Sequence, residues 1–355
     1  MKILTVVGAR PQFIKAATVS RQLKKVHAKE VILHTGQHFD HNMSQVFFQE
    51  MDIPKPDYNL NIHGFNHGAM TGRMLEGIED ILLKEKPNLM LVYGDTNSTL
   101  AGALAAQKLH IPVAHVEAGL RSYNMSMPEE TNRILTDRIS TYLFCPTQTA
   151  VNNLNNEGFS NFNCTIENTG DVMLDAALFY GERSSKKSTV IKEHGLNSDF
   201  VLATVHRQEN TDNPERLKSI VESFNTINKD VNVVVPLHPR TGKIISEQKL
   251  RIDFLTIPPV GYFDMVELLK SCSVVLTDSG GLQKEAFFFK KSCVTLREET
   301  EWIELVDGGY NHLAGSQHEK IVTLFWDAVK QTPDFSKLLY GNGNAAKNIL
   351  NTLCR

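Results

Sequence analysis

Polar clusters follow a series of short apolar runs along this chain, and their residue types suit holding an anion and moving protons. The most informative cluster is Thr277-Asp278-Ser279-Gly280-Gly281, which leads from an apolar run into a helical pattern carrying Gln283, Lys284 and Glu285. Glycines without a Cβ let backbone N–H groups approach a phosphate, and the positive end of the helix dipole adds to the attraction. An ordinary N-cap is the plain alternative, because Ser or Asp before a helix is common. Neither G-x-G-x-x-G nor G-x-x-x-x-G-K-[ST] occurs, so dinucleotide and P-loop readings lose their main support.

Acid–base candidates lie in the other half of the chain. Asp95 follows Gly94, Glu117 follows the run ending at Val116, and Glu129 stands near the start of a helical segment opened by Met127-Pro128. Three carboxylates brought to one rim repel, which raises at least one pKa and supplies a proton acceptor or donor near neutral pH. Glu129 and Arg133, at i and i+4, could instead form an exposed pair adding about 0.3–0.5 kcal/mol to the helix. Arg10-Pro11 and Lys15 place cations beside the first helix start, where surface ion pairing is the ordinary alternative. His206 and His238 suit an acid or a diphosphate contact, against the commoner fate of a hydrogen-bonded structural histidine. His115 and Glu117 share a strand face but lack a matching Cys/His set, so no metal is expected.

Strand ends must be brought together to assemble such groups, and the apolar patterning supplies them. Largely apolar runs at Ile3–Val7, Val31–Thr35, Leu89–Tyr93, Pro112–Val116 and Tyr142–Cys145, followed by a short segment near Thr165–Asn168, predict parallel strands covered on both faces. Helical patterns alternate with them at Pro11–Lys25, His67–Lys84, Ser98–Leu109, Glu129–Ser140 and Gln148–Asn156. After a polar stretch, Tyr180–Asp199, the alternation resumes. Strands are expected at Phe200–Thr204, Asn232–Leu237, Phe254–Ile257, Ser273–Leu276 and Cys293–Leu296, with helices near Pro214–Ile227, Phe263–Lys270, Gly281–Phe289 and Glu319–Thr332. The expected class is α/β with two Rossmann-like domains, 1–170 and 171–339, with the boundary near Asp171. Pattern alone does not assign the last segment, Asn344–Leu353, to either half.

A length of 355 residues accommodates about two domains with sizeable cores. With 41% hydrophobic and 22% charged residues the composition is globular, which excludes fibrous and disordered classes. Lys+Arg 37 against Asp+Glu 40 leaves a net charge of -3, so no global field draws the chain to nucleic acid or to an anionic membrane. The scattered Cys145, Cys164, Cys272, Cys293 and Cys354 form no C-x-x-C pair and are expected to be reduced thiols, mostly buried. The short apolar run behind Met1 is expected to be a strand rather than a signal peptide, and no run approaches about 18 apolar residues. A cytoplasmic protein without a membrane span is the expectation.

The ordered motifs together resemble the non-hydrolysing UDP-N-acetylglucosamine 2-epimerases over nearly the whole chain. The resemblance rests on Gly8-Ala9-Arg10-Pro11 with Lys15, Gly36-Gln37-His38, Gly94-Asp95-Thr96, His115-Val116-Glu117-Ala118-Gly119-Leu120-Arg121, and Pro128-Glu129-Glu130 with Asn132-Arg133. In the second half it rests on His206-Arg207 with Glu209-Asn210 and on Thr277-Asp278-Ser279-Gly280-Gly281 with Gln283 and Glu285. It implies a glycosyltransferase-B-like architecture with a cleft between the two domains and a C-terminal helix, 340–355, returning to the first. It implies that Ser279, Gly280 and Gly281 bind the diphosphate of a UDP-sugar, that Glu285 grips the ribose, and that Arg10 lies beside the diphosphate with His206 close by. Asp95, Glu117 and Glu129 match the carboxylates implicated in proton transfer. His206 joins them as a catalytic candidate, and Lys15, His38, Arg133, His238 and Arg297 complete the substrate-binding set. The implied reaction eliminates UDP to a bound glycal and re-adds it on the other face, with no metal or redox cofactor. A homodimer in surface polysaccharide synthesis is implied as well.

Two stretches depart from the family pattern. Where many members carry Arg-Pro-Glu, the chain has Leu296-Arg297-Glu298-Glu299-Thr300-Glu301-Trp302-Ile303-Glu304, which resembles the branch of UDP-2,3-diacetamido-2,3-dideoxy-glucuronate 2-epimerases. At Gln37-His38-Phe39-Asp40-His41 an aspartate stands where members activated by a second substrate molecule have glutamine, so such activation is expected to be absent. A glycosyltransferase of the same architecture and a non-catalytic nucleotide-sugar-binding protein are the competing expectations.

Overall fold

Leu89–Tyr93 and Phe200–Thr204 are buried at every position, as strands covered by helices on both faces must be. The structure, a computed structural model, describes residues 1–37, 55–196 and 199–354. The chain divides into two units, Met1–Ala176 together with Leu338–Arg355, and Ala177–Lys337.

The first unit is built on a parallel sheet of β1 (Lys2–Val7), β2 (Lys29–His34), β3 (Tyr58–Asn59), β4 (Leu89–Tyr93), β5 (Val113–Val116), β6 (Tyr142–Cys145) and β7 (Thr165–Asn168). Their order is β3-β2-β1-β4-β5-β6-β7, with Val6 beside Leu33, Thr5 beside Leu91 and Tyr93 beside Val116. Leu4, Val6, Met90 and Val92 meet Met74 and Ile78 of the helix His67–Glu85 in one core. The C-terminal helix Ala345–Leu353 belongs to this unit. Its first N–H groups, those of Ala345 and Ala346, donate to the Asp175 carboxylate at 3.0 and 2.9 Å, satisfying donors that a helix start leaves open.

The second unit repeats the scheme with β8 (Phe200–Thr204), β9 (Asn232–Pro236), β10 (Leu255–Ile257), β11 (Val274–Thr277), β12 (Ser292–Thr295) and β13 (Asn311–Leu313), in the order β10-β9-β8-β11-β12-β13. Thr277 lies between Thr204 and Thr295. Val201, Ala203, Val233, Leu276 and Val294 share a core with Leu217, Ile220 and Phe224 of the helix Pro214–Ile227.

The polar connection expected from Tyr180 onward is instead helical: Val172–Lys187 is one helix and Val190–Glu193 a short second one. Met173, Ala176, Tyr180 and Ser184 are buried at helical spacing, and that stripe outweighs the charged run at its end. Among the described residues, no helix is long and apolar enough to cross a membrane.

Candidate active site

Ligands of open α/β sheets bind beyond the strand ends where the strand order reverses. In the first unit that reversal lies between β1 and β4, and the segments leaving β1, β4 and β5 carry Lys15, Gly94-Asp95 and Glu117. Glu117 adopts φ +74°, a left-handed conformation costing a non-glycine residue roughly 1–3 kcal/mol. The turn brings its carboxylate to Lys15, whose Nζ donates to Oε2; the two side chains are 8% and 9% exposed. Gly94, at φ +61°, lies against this pair: a Cβ there would stand 3.2 Å from Glu117 Oε2 and 3.3 Å from Lys15 Nζ. A side chain here would be strained by the positive φ and pressed against the pair, and glycine avoids both.

Asp95 pairs with Arg133 Nη2, while Arg133 Nη1 donates to Glu130 Oε2 at 2.9 Å. Glu130 is fully buried and also accepts the N–H groups of Ser122 at 3.0 Å and Tyr123 at 2.9 Å, so it anchors the loop before the helix Pro128–Ile139. Asn132 Nδ2 donates to the Asp95 carbonyl at 2.9 Å. Glu129 is exposed and makes no hydrogen bond or ion pair among the described residues. The expected repulsion among three carboxylates is therefore largely neutralised, since Lys15 serves Glu117 and Arg133 serves Asp95. Nor does the exposed Glu129–Arg133 pair form, because Arg133 is buried and turned to Asp95 and Glu130.

Behind this rim His115 is fully buried, with Nδ1 2.7 Å from Asp137 Oδ1 and Nε2 2.7 Å from the Gly94 carbonyl. Asp137 Oδ2 accepts from Arg121 Nη1 at 2.7 Å and from the Gly119 N–H at 3.1 Å. Burial pushes the Asp137 carboxyl up, but the hydrogen bonds and charges of His115 and Arg121 outweigh it and hold the group below its ordinary range. Gln12 ties the segment after β1 to the one after β4. Its Oε1 accepts the Gly8 and Ala9 N–H groups at 2.8 and 3.0 Å, and its Nε2 lies 2.8 Å from the Tyr93 carbonyl. Sequence reasoning missed Gln12 and Asp137; the one available signal was a polar residue at the first turn beside Pro11. His38 lies outside the described residues, as does the side chain of Arg10.

In the second unit the order reverses between β8 and β11, and the two strand ends meet through Asp278. This buried carboxylate accepts the N–H groups of His206 and Arg207, each 3.0 Å from Oδ2, and Asn210 Nδ2 at 3.2 Å. His206 Nδ1 lies 3.2 Å from Oδ1 while the side chain remains 47% exposed. His238 caps the helix Pro239–Glu247, its Nδ1 accepting the Arg240 N–H at 3.3 Å. Partial burial, with His206 and Arg240 nearby, holds His238 below its ordinary value.

Ser279 caps the helix Gly280–Phe288, its Oγ accepting the Leu282 N–H at 3.4 Å. A Cβ on Gly280 would run into a Glu301 carboxylate oxygen, whereas one on Gly281 would meet nothing within 4 Å. Arg297 is 2% exposed and donates from Nη1 to Glu301 at 3.0 Å, but its buried Nη2 finds no partner among the described residues. A guanidinium with an unused donor, close to a helix N-terminus that is open at Gly281, is chemistry for an anionic ligand. Glu285 is buried on the second turn of the same helix. The divergent stretch after β12 packs here: Trp302 Nε1 donates to the Gly280 carbonyl at 2.9 Å, and Lys284 Nζ stands 4.0 Å from its ring centre.

The family model described as UDP-N-acetylglucosamine 2-epimerase matches residues 21–354. UDP-2,3-diacetamido-2,3-dideoxy-D-glucuronate 2-epimerase of Pseudomonas aeruginosa is 56% identical over 357 residues, covering 100% of both chains. The crystal structure of Methanocaldococcus jannaschii UDP-GlcNAc 2-epimerase in complex with UDP-GlcNAc and UDP superposes with a TM-score of 0.92 at 43% identity, covering 100% of this chain and 99% of that one. The Neisseria meningitidis enzyme bound to UDP-GlcNAc gives a TM-score of 0.90 at 34% identity, covering 100% of both. Two parallel-sheet units accord with these likenesses, and the chain belongs to the UDP-N-acetylglucosamine 2-epimerase family of isomerases.

Proposed function

We propose that the protein is a non-hydrolysing 2-epimerase that interconverts UDP-N-acetylglucosamine and UDP-N-acetylmannosamine, or a close derivative, by eliminating UDP and adding it back. The observation that supports this most directly is the rim formed by Asp95, Glu117 and the exposed Glu129, each carboxylate in a different environment. The C2 proton of a 2-acetamido sugar has no neighbouring carbonyl to acidify it. Breaking the C1–O bond, with its electron pair leaving on the diphosphate, builds oxocarbenium character that does so. A carboxylate takes the C2 proton, C1 and C2 become doubly bonded, and the glycal waits beside UDP. Reprotonation on the opposite face and return of the diphosphate oxygen to C1 give the epimer. The reaction needs one group to take the proton from one face and another to return it to the opposite face, and more than one carboxylate suits that division.

UDP falls to the second unit in this proposal. Ser279, Gly280 and Gly281 hold the diphosphate, Glu285 the ribose, and Arg297 supplies charge, with Arg10, His38 and His238 as further substrate contacts. His206, oriented by Asp278, suits the proton or the leaving diphosphate. Proton NMR of UDP-N-acetylglucosamine with the protein in deuterated water tests the reaction. Deuterium entering C2 is the expected result, and an untouched C2–H with sugar transferred to an acceptor would instead mark a glycosyltransferase.

A second reading of the sugar, the 2,3-diacetamido uronate, draws support from the Pseudomonas aeruginosa relative and from the stretch Arg297–Glu304. The same exchange measured on both sugars decides between them. We further propose a cytoplasmic homodimer that serves surface polysaccharide synthesis and lacks activation by a second substrate molecule. A lag with UDP-N-acetylmannosamine that trace UDP-N-acetylglucosamine abolishes would contradict the last point.

A further inference from the structure

The three carboxylates of the proposed reaction sit on three separate segments: Asp95 after β4, Glu117 after β5, and Glu129 on the helix Pro128–Ile139. The backbone joins two of them, the Gly94 N–H donating to the Val116 carbonyl at 3.0 Å between the ends of β4 and β5, and Asn132 Nδ2 ties the Asp95 carbonyl to the helix. Lys15 reaches Glu117 from the first helix, while Arg133 reaches Asp95 and, through Glu130, the Ser122–Tyr123 loop that follows β5.

His115 adds a side-chain link between them. It lies within β5, two residues before Glu117, and its register partner on β4 is Val92. Its Nε2 is 2.7 Å from the carbonyl of Gly94, an oxygen that can only accept, so this nitrogen carries a hydrogen. Gly94 precedes Asp95 and packs against the Lys15–Glu117 pair, so the orientation of the Gly94–Asp95 peptide bears on both carboxylates. The other ring nitrogen, Nδ1, is 2.7 Å from Asp137. Glu129, Arg133 and Asp137 recur every fourth residue along one face of the helix. Fixing Asp137 therefore fixes the height and rotation of Arg133, which meets Asp95, and of Glu129 beyond it. Asp137 is braced from the far side by Arg121 and the Gly119 N–H, both in the segment that follows Glu117.

We propose that His115 is a positioning residue of this rim, a side chain whose two hydrogen bonds set the Asp95 and Glu129 segments relative to its own neighbour Glu117. It touches no substrate; it acts through the Gly94 carbonyl and Asp137. The inference rests on the epimerase reading and adds a residue role to it.

The test uses three variants of the full chain. His115→Gln places an amide near the position of Nε2 and can still donate to Gly94. His115→Asn places it near Nδ1 and reaches Asp137 alone. His115→Phe keeps the volume and neither bond. Because a misplacement of about 1 Å costs roughly 100-fold in rate, kcat for C2 deuterium exchange is expected to fall about 100-fold in His115→Phe. His115→Gln should recover about tenfold of that loss, with KM and UDP affinity changed less than about threefold throughout. A merely structural histidine would lower the folded fraction without separating kcat from KM and without favouring Gln over Asn. Should His115→Phe fail to fold, the Gln and Asn variants still decide. Exchange within about threefold of wild type in both, or KM rising as far as kcat falls, overturns the proposal. A wild-type protein that exchanges no C2 proton on any sugar of the panel overturns the epimerase reading itself, and this one with it.

Discussion

Asp278 and His206 stand on adjacent strand ends, and one buried carboxylate grips both the backbone N–H of the histidine, at 3.0 Å, and its Nδ1, at 3.2 Å. Backbone and ring are thus aimed by the same group. An uncharged amide in its place keeps one accepting oxygen but turns an N–H toward donors. Asp278→Asn is therefore expected to lower C2 exchange by about 100-fold or more, the usual worth of an oriented acid–base group. The same change removes hydrogen bonds worth about 1.5–3 kcal/mol each to a charged acceptor, so the melting temperature falls as well. Thermal unfolding and exchange measured on one preparation check both effects.

Glu117 and Glu129 separate activity from stability. Glu117, its side chain 9% exposed, is paired with Lys15, so Glu117→Gln strands an ammonium without its counter-charge and costs about 3–5 kcal/mol in denaturant unfolding as well as activity. Glu129 is exposed and without partners among the described residues, so Glu129→Gln leaves stability within about 0.5 kcal/mol. Its exchange rate still drops about 100- to 10,000-fold if it handles the proton. Wild-type exchange in Glu129→Gln would remove that residue from the reaction.

His238 gives an acid-sensitive cap. Its folded pKa lies below the ordinary 6.5, so the ring is neutral at pH 7 and Nδ1 can accept the Arg240 N–H. The neutral form is favoured in the folded state. The cap's contribution is therefore intact above about pH 6.5 and is lost as the pH falls from there through the folded pKa. An NMR titration of His238 should give a midpoint below 6.5. His238→Asn, which keeps an accepting cap, should remove that part of the acid sensitivity without loss of stability at pH 7.

What the sequence made legible follows from which interactions are local. Leu89–Tyr93 stands where its apolar run predicts because burial on both faces leaves that mark. Tyr58–Asn59 is too short to leave one. The helix Val172–Lys187 was hidden because its charged end disguises the buried stripe of Met173, Ala176, Tyr180 and Ser184. In the site, Asp95, Glu117 and Glu129 were visible as carboxylates after strands or at a helix start. Their counter-ions were not, since Lys15 meets Glu117 across 102 positions of sequence. No residue pattern announces that Glu117 takes φ +74°, a conformation usually left to glycine. Asp278 reads in sequence as part of a phosphate motif, whereas its grip on His206 depends on the adjacency of β8 and β11.

The cysteines offer a check on the second unit's core that is independent of catalysis. Burial pushes the thiols of Cys272 and Cys293 up to about 12, and Cys145 is raised by burial too. At pH 8 a thiol with a pKa of about 12 is ionised in about one molecule in ten thousand, and these three are also closed to solvent. Cys354 is exposed and Cys164 is partly buried with its thiol raised. Iodoacetamide at pH 8 should therefore alkylate Cys354 first and Cys164 slowly. Cys145, Cys272 and Cys293 should react only in denaturant, as read by peptide mass spectrometry. Fast labelling of Cys272 or Cys293 in the native protein would mean that the sheet of β8, β11 and β12 opens far more readily than its fully buried strands imply.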